Sequence, residues 1–327
     1  MASGTEGFIL PQRLDNRDIF ANLSEVRLFA CVRNEALRIP YFLKYYSARG
    51  VSRFFVIDNC STDNTAELLL ESPITHVFRA SGSYSQAGSG ISWIRYLLDS
   101  YGRGHWCIVA DADEILVYPN WEYIAFPDLC AYLTDEGASA LHSILVDMYS
   151  ESAFSETLYE SGTDLLHICP YYESASIVCV ATLRERQAGA WRHYGGMRLR
   201  VFGLNVRLDK VNLFRYDPGI QLVGGMHSIS GAPHSRLQGA VLHFKYLMDF
   251  TPRVAVEAQR AEHWFQAAEY KRYHAVTREA PSIGAFTPDS QRFRQSSDLL
   301  RCHIMESSLE FDRLVHSDDS PRTKELV

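Results

Sequence analysis

His105-Trp106-Cys107-Ile108-Val109-Ala110 runs without a break into Asp111-Ala112-Asp113-Glu114, and then into Ile115-Leu116-Val117. A short apolar run of this kind reads as a buried strand. Three carboxylates in four residues follow it. Wedging them between apolar runs is costly unless they are paired or hold a cation. Alternate side chains of an extended chain share a side, so Asp111 and Asp113 are expected to point the same way. Two hard oxygen donors at the carboxyl end of a strand suit Mg²⁺ or Mn²⁺. A solvated acidic turn is the plainer reading of the same residues.

Upstream, the chain alternates strands and helices. Val26 to Val32 (VRLFACV) is an apolar strand, and Pro40 opens a helix over Tyr41 to Arg49 that Gly50 stops. Arg53 to Ile57 is the second strand. It ends in Asp58-Asn59-Cys60-Ser61-Thr62-Asp63-Asn64, a turn rich in capping residues, before a helix over Thr65 to Glu71 that Pro73 closes. Ile74 to Phe78 is a third strand, and Ile91 to Tyr101 a helix after a Gly/Ser-rich loop. HWCIVA is the fourth strand. Repeated β-α units with short links imply a doubly wound parallel sheet, whose ligands bind beyond the carboxyl ends of its strands. The polar clusters after strands one, two and four all fall on that rim.

Downstream, Ala138 to Met148, Met197 to Phe202, Val211 to Tyr216 and Ala240 to Leu247 read as further strands. Thr251-Pro252 opens a helix with Ala261, Trp264, Phe265 and Ala268 on one face. The tail from Pro281 is polar, with one more helix expected near Asp298 to Leu314. The resulting segments are 1–25, an N-terminal extension; 26–137 and 138–250, two halves of one α/β unit; and 251–327, a helical region.

Composition excludes several classes. Of 327 residues, 46% are hydrophobic and 22% charged, the ordinary balance of a globular chain. Lys plus Arg number 32 against 39 Asp plus Glu, a net charge of −7, so no nucleic-acid partner is expected. Seven cysteines form no CxxC pair, which argues for reduced thiols and a cytoplasmic setting. No apolar run of 18 residues or more occurs, and Met1 to Asn22 lacks a signal core. Any membrane contact is therefore expected from the surface, at the inner face.

Three motifs carry the chemistry. Cys31-Val32-Arg33-Asn34-Glu35 follows strand one, with Arg33 and Glu35 on the rim. Asp58 closes strand two, where a carboxylate accepts from a ribose or base; Asp63 or Asn64 caps the next helix. The third is Asp111-Ala112-Asp113-Glu114. CVRNE, IDNCSTDNT and VADADE in this order resemble the family 2 type of glycosyltransferase with the GT-A fold, in its soluble bacterial subgroup. Val146-Asp147-Met148-Tyr149, Gly195-Gly196-Met197-Arg198-Leu199-Arg200-Val201-Phe202, Leu208-Asp209-Lys210-Val211, Gly225-Met226-His227 and Leu242-His243-Phe244-Lys245-Tyr246 look like the same subgroup. The likeness covers roughly residues 26 to 275.

The resemblance implies a GT-A, Rossmann-like mixed sheet with nucleotide-sugar binding in 26–137 and the acceptor side in 138–250. It implies a UDP- or GDP-sugar donor, Mn²⁺ or Mg²⁺, and a glycan, glycolipid or small-molecule acceptor. By it, Arg33, Glu35 and Asp58 hold the nucleoside. Asp111 and Asp113 serve the metal and donor, His243 or His227 completes the metal shell, and Arg198, Arg200 and Lys210 face the diphosphate. The acceptor base is expected at Asp147, with Glu151 and Glu173 as alternatives. Trp191 is the expected sugar-stacking residue, the other tryptophans being core. The chain departs from the wider family in lacking QxxRW, which Gln187 to Arg192 (QAGAWR) only superficially resembles. The rival readings are a nucleotidyltransferase on a similar sheet, a metal-dependent phosphohydrolase, and a non-catalytic sugar-binding protein of the same fold. Against the first, strand one is followed by Arg33-Asn34-Glu35 and not by a Gly-rich phosphate loop.

Overall fold

The computed structural model describes residues 9–20, 22–181, 191–224 and 226–316. Its strands are β1 Gln12–Arg13, β2 Val26–Val32, β3 Val51–Asp58, β4 Thr75–Arg79, β5 Trp106–Val109, β6 Glu114–Val117, β7 Ala140–Asp147, β8 Tyr171–Tyr172, β9 Ile177–Ala181, β10 Trp191–Gly195, β11 Asp209–Arg215, β12 Gln221–Val223, β13 Ser228–Ser230, β14 His234–His243 and β15 Gln291–Arg292. The α-helices are α1 Ile39–Ala48, α2 Thr65–Glu71, α3 Ile91–Tyr101, α4 Phe126–Asp135, α5 Leu165–Ile168, α6 Met197–Phe202, α7 Phe250–Arg260, α8 Trp264–Glu279, α9 Ser296–Arg301 and α10 Leu309–His316.

The main sheet has nine strands in the order β1-β4-β3-β2-β5-β11-β7-β14-β6. β4, β3, β2 and β5 are mutually parallel, as are β7 and β14, while β11 and β6 run antiparallel to their neighbours. Both faces are covered. In β3, Phe54 and Val56 join a core with α1 and α4, whereas Phe55 and Ile57 join a second core with α3. That alternation is what a strand buried on both sides requires. The expected doubly wound α/β sheet is therefore present, as a mixed sheet. No helix among the described residues is long and apolar enough to cross a membrane.

The carboxyl ends of β3, β5, β7 and β14 lie on one rim. The antiparallel β11 and β6 bring their first residues, Asp209 and Glu114, to the same rim: Asp209 pairs with Ile144 and Glu114 with His243. Four residues link β5, near the middle of the order, to β6 at its edge. Four strand spacings on a flat sheet are about 19 Å. Five residue steps reach at most about 18 Å. The sheet must coil for this link to close, and the carboxylate turn rides across the rim as it does.

Two elements differ from the sequence expectation. Met197 to Phe202 is the helix α6 and not a strand. Its alternation of apolar and basic residues imitates a strand, but Gly195 (φ 99°) and Gly196 (φ 70°) turn the chain before it and Gly203 (φ 69°) ends it in the left-handed region. The helix expected near Asp298 to Leu314 is two, α9 and α10, divided at Cys302–Ser308. The face expected at Ala261, Trp264, Phe265 and Ala268 is likewise broken, because Ala261 (φ 54°) caps α7 and Phe265 is exposed.

Gly50 stops α1 as expected, with φ of 93°. A Cβ there would sit 2.6 Å from Pro127 Cδ, at the start of α4. Left-handed strain and overpacking then act together, so Gly50→Ala is expected to lower unfolding free energy by about 2 kcal/mol or more. Urea denaturation with an unchanged m-value checks it.

Candidate functional site

Toward the β6 edge of the rim, His243 lies between two carboxylates. Its Nε2 is 3.3 Å from Asp113 Oδ2 and its Nδ1 is 2.7 Å from Asp147 Oδ1. Asp147 uses its other oxygen, Oδ2, to accept from Arg198 Nε at 2.8 Å. All four are buried. They are the last residues of β14 and β7, the turn before β6 and the first turn of α6, so four distant segments meet in one ion-pair chain. Burial alone would lower the His243 pKa, but Asp113 and then Asp147 outweigh it and raise it. Burial would raise both carboxyls; His243 holds Asp113 well below its ordinary range, and Arg198 and then His243 hold Asp147 down.

The remaining carboxylates of the turn divide the work. Glu114 is buried, accepts from Lys210 Nζ at 2.7 Å and from Asn212 Nδ2 at 3.2 Å, and faces inward. Asp111 opens to solvent. It still sits in a crowded concave rim: dehydration, and then the Glu114 charge, push its carboxyl up to about 7. Ala112 and Asp113 form a turn closed by Glu114 N–H donating to Asp111 O at 3.0 Å. The strand alternation expected for Asp111 and Asp113 is therefore replaced by a turn. His227 Nδ1 donates to the Asp209 carbonyl at 2.8 Å; burial and the Lys210 charge lower its pKa to about 4, leaving it neutral.

The other two motifs line the same rim. Asn34 (φ 52°) and Cys60 (φ 54°) occupy left-handed turns that interlock. Asn34 N–H donates to Ser61 Oγ at 2.9 Å and Thr62 N–H to Asn34 Oδ1 at 2.7 Å. Arg33 Nη1 donates to the Asn59 and Cys60 carbonyls at 2.6 and 2.7 Å. Asp63 accepts from Thr65 N–H at 3.1 Å from one residue before the N-cap of α2, while Asn64 at the cap makes no side-chain capping bond. Glu35 is buried and paired with Arg253 and with Arg38, 3.4 Å away. Asp58 is fully buried. Its Oδ1 accepts from Ser61 N–H at 3.0 Å, but its Oδ2 has no hydrogen-bond partner, Arg79 Nε being 3.7 Å away. The Arg79 guanidinium offsets the charge of that oxygen without hydrogen-bonding it. Burial, then the charges of Asp111 and Asp58, push the nearby Cys31 thiol far above its usual range, which ties Asp58 and Asp111 to one neighbourhood.

On the far side, Glu173 accepts from Arg200 Nε at 2.6 Å and pairs with Ser176. Glu151 pairs with the Tyr171 hydroxyl. Trp93, Trp106 and Trp121 are core, as expected. The side chains of Trp191 and Trp264, Gly225, and the stretch 187–190 lie outside the described residues. The sequence reading missed a second ring of charges. Arg38 is fully buried and grips Asp249 through its two terminal guanidinium nitrogens, Nη1 and Nη2, at 2.7 and 2.8 Å. Glu269 of α8 lies 3.5 Å from Arg198 and 3.8 Å from Lys245, and its carboxyl is lowered to about 2 by Lys245 and Arg198 against burial. LHFKY already contained Lys245; nothing local marks Glu269 or Arg38.

The donor chemistry fits a divalent cation. Asp111 and Asp113 are hard oxygen donors of the type that suits Mn²⁺ or Mg²⁺, and His243 adds an imidazole that Mn²⁺ accepts more readily than Mg²⁺. The Asp147 contact to Nδ1 is the outer partner that orients a ligating histidine. Asp111 does not join the other two in a cluster with donor atoms within 4.8 Å of one another.

No family model matches the chain. No curated protein matches it either. Among solved structures, a crystal structure of 4-diphosphocytidyl-2C-methyl-D-erythritol synthase overlays with a TM-score of 0.29 and 10% identity, over 87% of this chain and 99% of that one. An overlay at that score decides nothing about this chain.

The ion-pair chain makes a pH prediction for chelator-treated protein. His243 has a raised folded pKa, so its contribution is complete below its ordinary value of 6.5 and is lost as pH rises through the folded value. Asp113 and Asp147 contribute above their ordinary 3.8 and lose that only as pH falls through their lower folded values. Between about pH 6 and about pH 9 the wild type is therefore expected to lose more melting temperature than His243→Gln. Equal slopes would refute the assignment.

Proposed function

We propose that the chain is a metal-dependent glycosyltransferase. It moves a sugar from a UDP- or GDP-sugar to an acceptor hydroxyl by inverting direct displacement. The setting of this reading is surface glycan or glycolipid assembly at the cytoplasmic side of a membrane. The observation that supports it most is the convergence of CVRNE, IDNCSTDNT and VADADE on one carboxyl rim, with a fully buried Asp58 oxygen lacking a donor.

In this reading Asp58 accepts a hydrogen bond from the ribose or base of the donor. Arg33 acts on the Asn59 and Cys60 carbonyls and so holds that turn in shape. Asp113 and His243 would hold the cation and Asp111 would have to turn toward them to join, with neutral His227 beside Lys210 as the reserve ligand. Bound Mn²⁺ or Mg²⁺ would supply positive charge to the diphosphate leaving group. Asp147 keeps the His243 Nδ1 proton, so that Nε2 presents its lone pair toward Asp113. That duty engages the carboxylate first expected to be the base. Lys210 and Arg198 offset Glu114 and Asp147, and keep the rim from repelling an anionic donor. Glu173, steadied by Arg200, takes the acceptor proton.

Thermal melting with UDP, GDP and their sugars, with and without Mn²⁺, tests the donor site. One nucleoside diphosphate at ~100 times its dissociation constant is expected to raise the melting temperature by on the order of 5 °C, only with metal and not in Asp113→Ala. Release of pyrophosphate from a nucleoside triphosphate would favour a nucleotidyltransferase and overturn the reading; donor binding without turnover would leave a sugar-binding protein.

The two carboxylates part in kinetics. Asp147→Asn is expected to weaken metal affinity about 10–100-fold. Glu173→Gln is expected to lower kcat by about 10²-fold or more with donor affinity unchanged. Titration calorimetry with Mn²⁺ and steady-state kinetics separate them.

A further inference from the structure

His142, His193 and Asp209 form a cluster that the proposed reaction does not use. Asp209 opens β11 and is buried. Its Oδ2 is satisfied within the chain, by Arg207 Nε at 3.0 Å and the His193 N–H at 3.1 Å. Its Oδ1 faces two imidazoles, His142 Nε2 at 3.1 Å and His193 Nδ1 at 3.0 Å. The three donor atoms lie within 4.8 Å of one another. Bonds of about 2.0–2.1 Å to a common ion at tetrahedral or octahedral angles would separate ligand atoms by about 2.9–3.4 Å. The two separations from Asp209 Oδ1 fall in that window.

The hydrogen bonds around His142 make the case sharper. Gln238 Nε2 donates to the Ile304 carbonyl at 3.0 Å, so its amide oxygen is the atom facing His142 Nδ1, at 2.9 Å. Nδ1 must then carry the ring hydrogen. In a neutral ring Nε2 holds a lone pair, and it points at a carboxylate oxygen. Two acceptors at 3.1 Å repel, and either a second ring proton or a metal cation between them makes the contact favourable. An outer carbonyl fixing the tautomer in this way is the usual partner of a ligating histidine.

We propose that His142, His193 and Asp209 bind Zn²⁺ as a structural site that clamps the β9–β10 hairpin to the sheet. Two imidazoles and one carboxylate suit Zn²⁺ better than Mg²⁺ or Ca²⁺, which take oxygen. Cys179 faces His193 in the β9–β10 register and is exposed. Cys179 Sγ is not among the clustered donor atoms, so the fourth position falls to water. The ion would hold Asp209, whose neighbour Lys210 pairs with Glu114, and so steady one wall of the rim without touching substrate.

The test uses the full chain, stripped with chelator and titrated with Co²⁺ and then Zn²⁺. The wild type and Asp113→Ala are both expected to give Co²⁺ visible absorption that Zn²⁺ abolishes, to retain one Zn²⁺ per chain after dialysis, and to melt higher with Zn²⁺. His142→Ala and His193→Ala are expected to bind Zn²⁺ at least 10-fold more weakly, with far-UV circular dichroism unchanged. Asp113→Ala lacking both the Co²⁺ absorption and the Zn²⁺ would overturn the site, however the histidine variants fold. So would histidine variants that keep wild-type affinity.

Discussion

The placing of His243 between Asp113 and Asp147 is the contact on which the rim depends. Three buried carboxylates (Asp113, Glu114 and Asp147) stand within a few residues of the sheet's end, and each has a basic partner in His243, Lys210 or Arg198. Dehydrating such charges costs several kcal/mol per ion unless geometry and hydrogen bonds offset it. Here each partner arrives from a different element: β14 supplies His243, β11 supplies Lys210 and α6 supplies Arg198. The charge balance is thus a constraint on tertiary structure. Those three elements cannot shift independently without leaving a buried charge uncompensated.

Topology makes this possible. A purely parallel sheet would bring only carboxyl ends to the rim. The antiparallel β11 and β6 add their first residues, which is how Lys210 and Glu114 come to lie beside Asp113 and His243. The link from β5 to β6 can close only on a coiled sheet, so the same geometry that bends the sheet lifts the carboxylate turn across its end. Farther out, Arg38 with Asp249 and Glu35 with Arg253 tie α1 and α7 to the rim. The loop before α3 is tied down as well, since Glu262 accepts from Ser83 Oγ at 2.6 Å and Ser85 N–H at 3.0 Å. Tyr84, on that loop, has its hydroxyl pKa raised well above the ordinary range by burial first and then by the Asp111 charge. That places the ring in the neighbourhood of the rim.

Much of this was legible locally. Apolar runs of four to eight residues marked the strands, and the polar clusters after them marked the rim, because both signals are carried by neighbouring residues. The errors have equally local causes. Met197 to Phe202 alternates like a strand, yet the glycines on either side decide for a helix. Strand alternation would put Asp111 and Asp113 on one side, but a turn hydrogen bond breaks the extended backbone between them. Arg38, Glu269 and the His142–His193–Asp209 cluster carry no local mark at all. Their partners are distant in sequence, as with Arg38 and Asp249, and single charged residues on helices and strands are common.

The sequence by itself determined the alternation of elements, the doubly wound sheet and the three polar turns at its carboxyl end. Those follow from periodicity, capping and backbone sterics, which act over a few residues. Only the tertiary structure decided which of the rim carboxylates are buried and paired, which one opens to solvent, and that Asp58 Oδ2 is among the buried oxygens without a hydrogen-bond partner. It also decided that Asp147 pairs with both His243 and Arg198. Those properties depend on dehydration and on charges a few ångströms away, and both are set by segments that meet only when the sheet has closed.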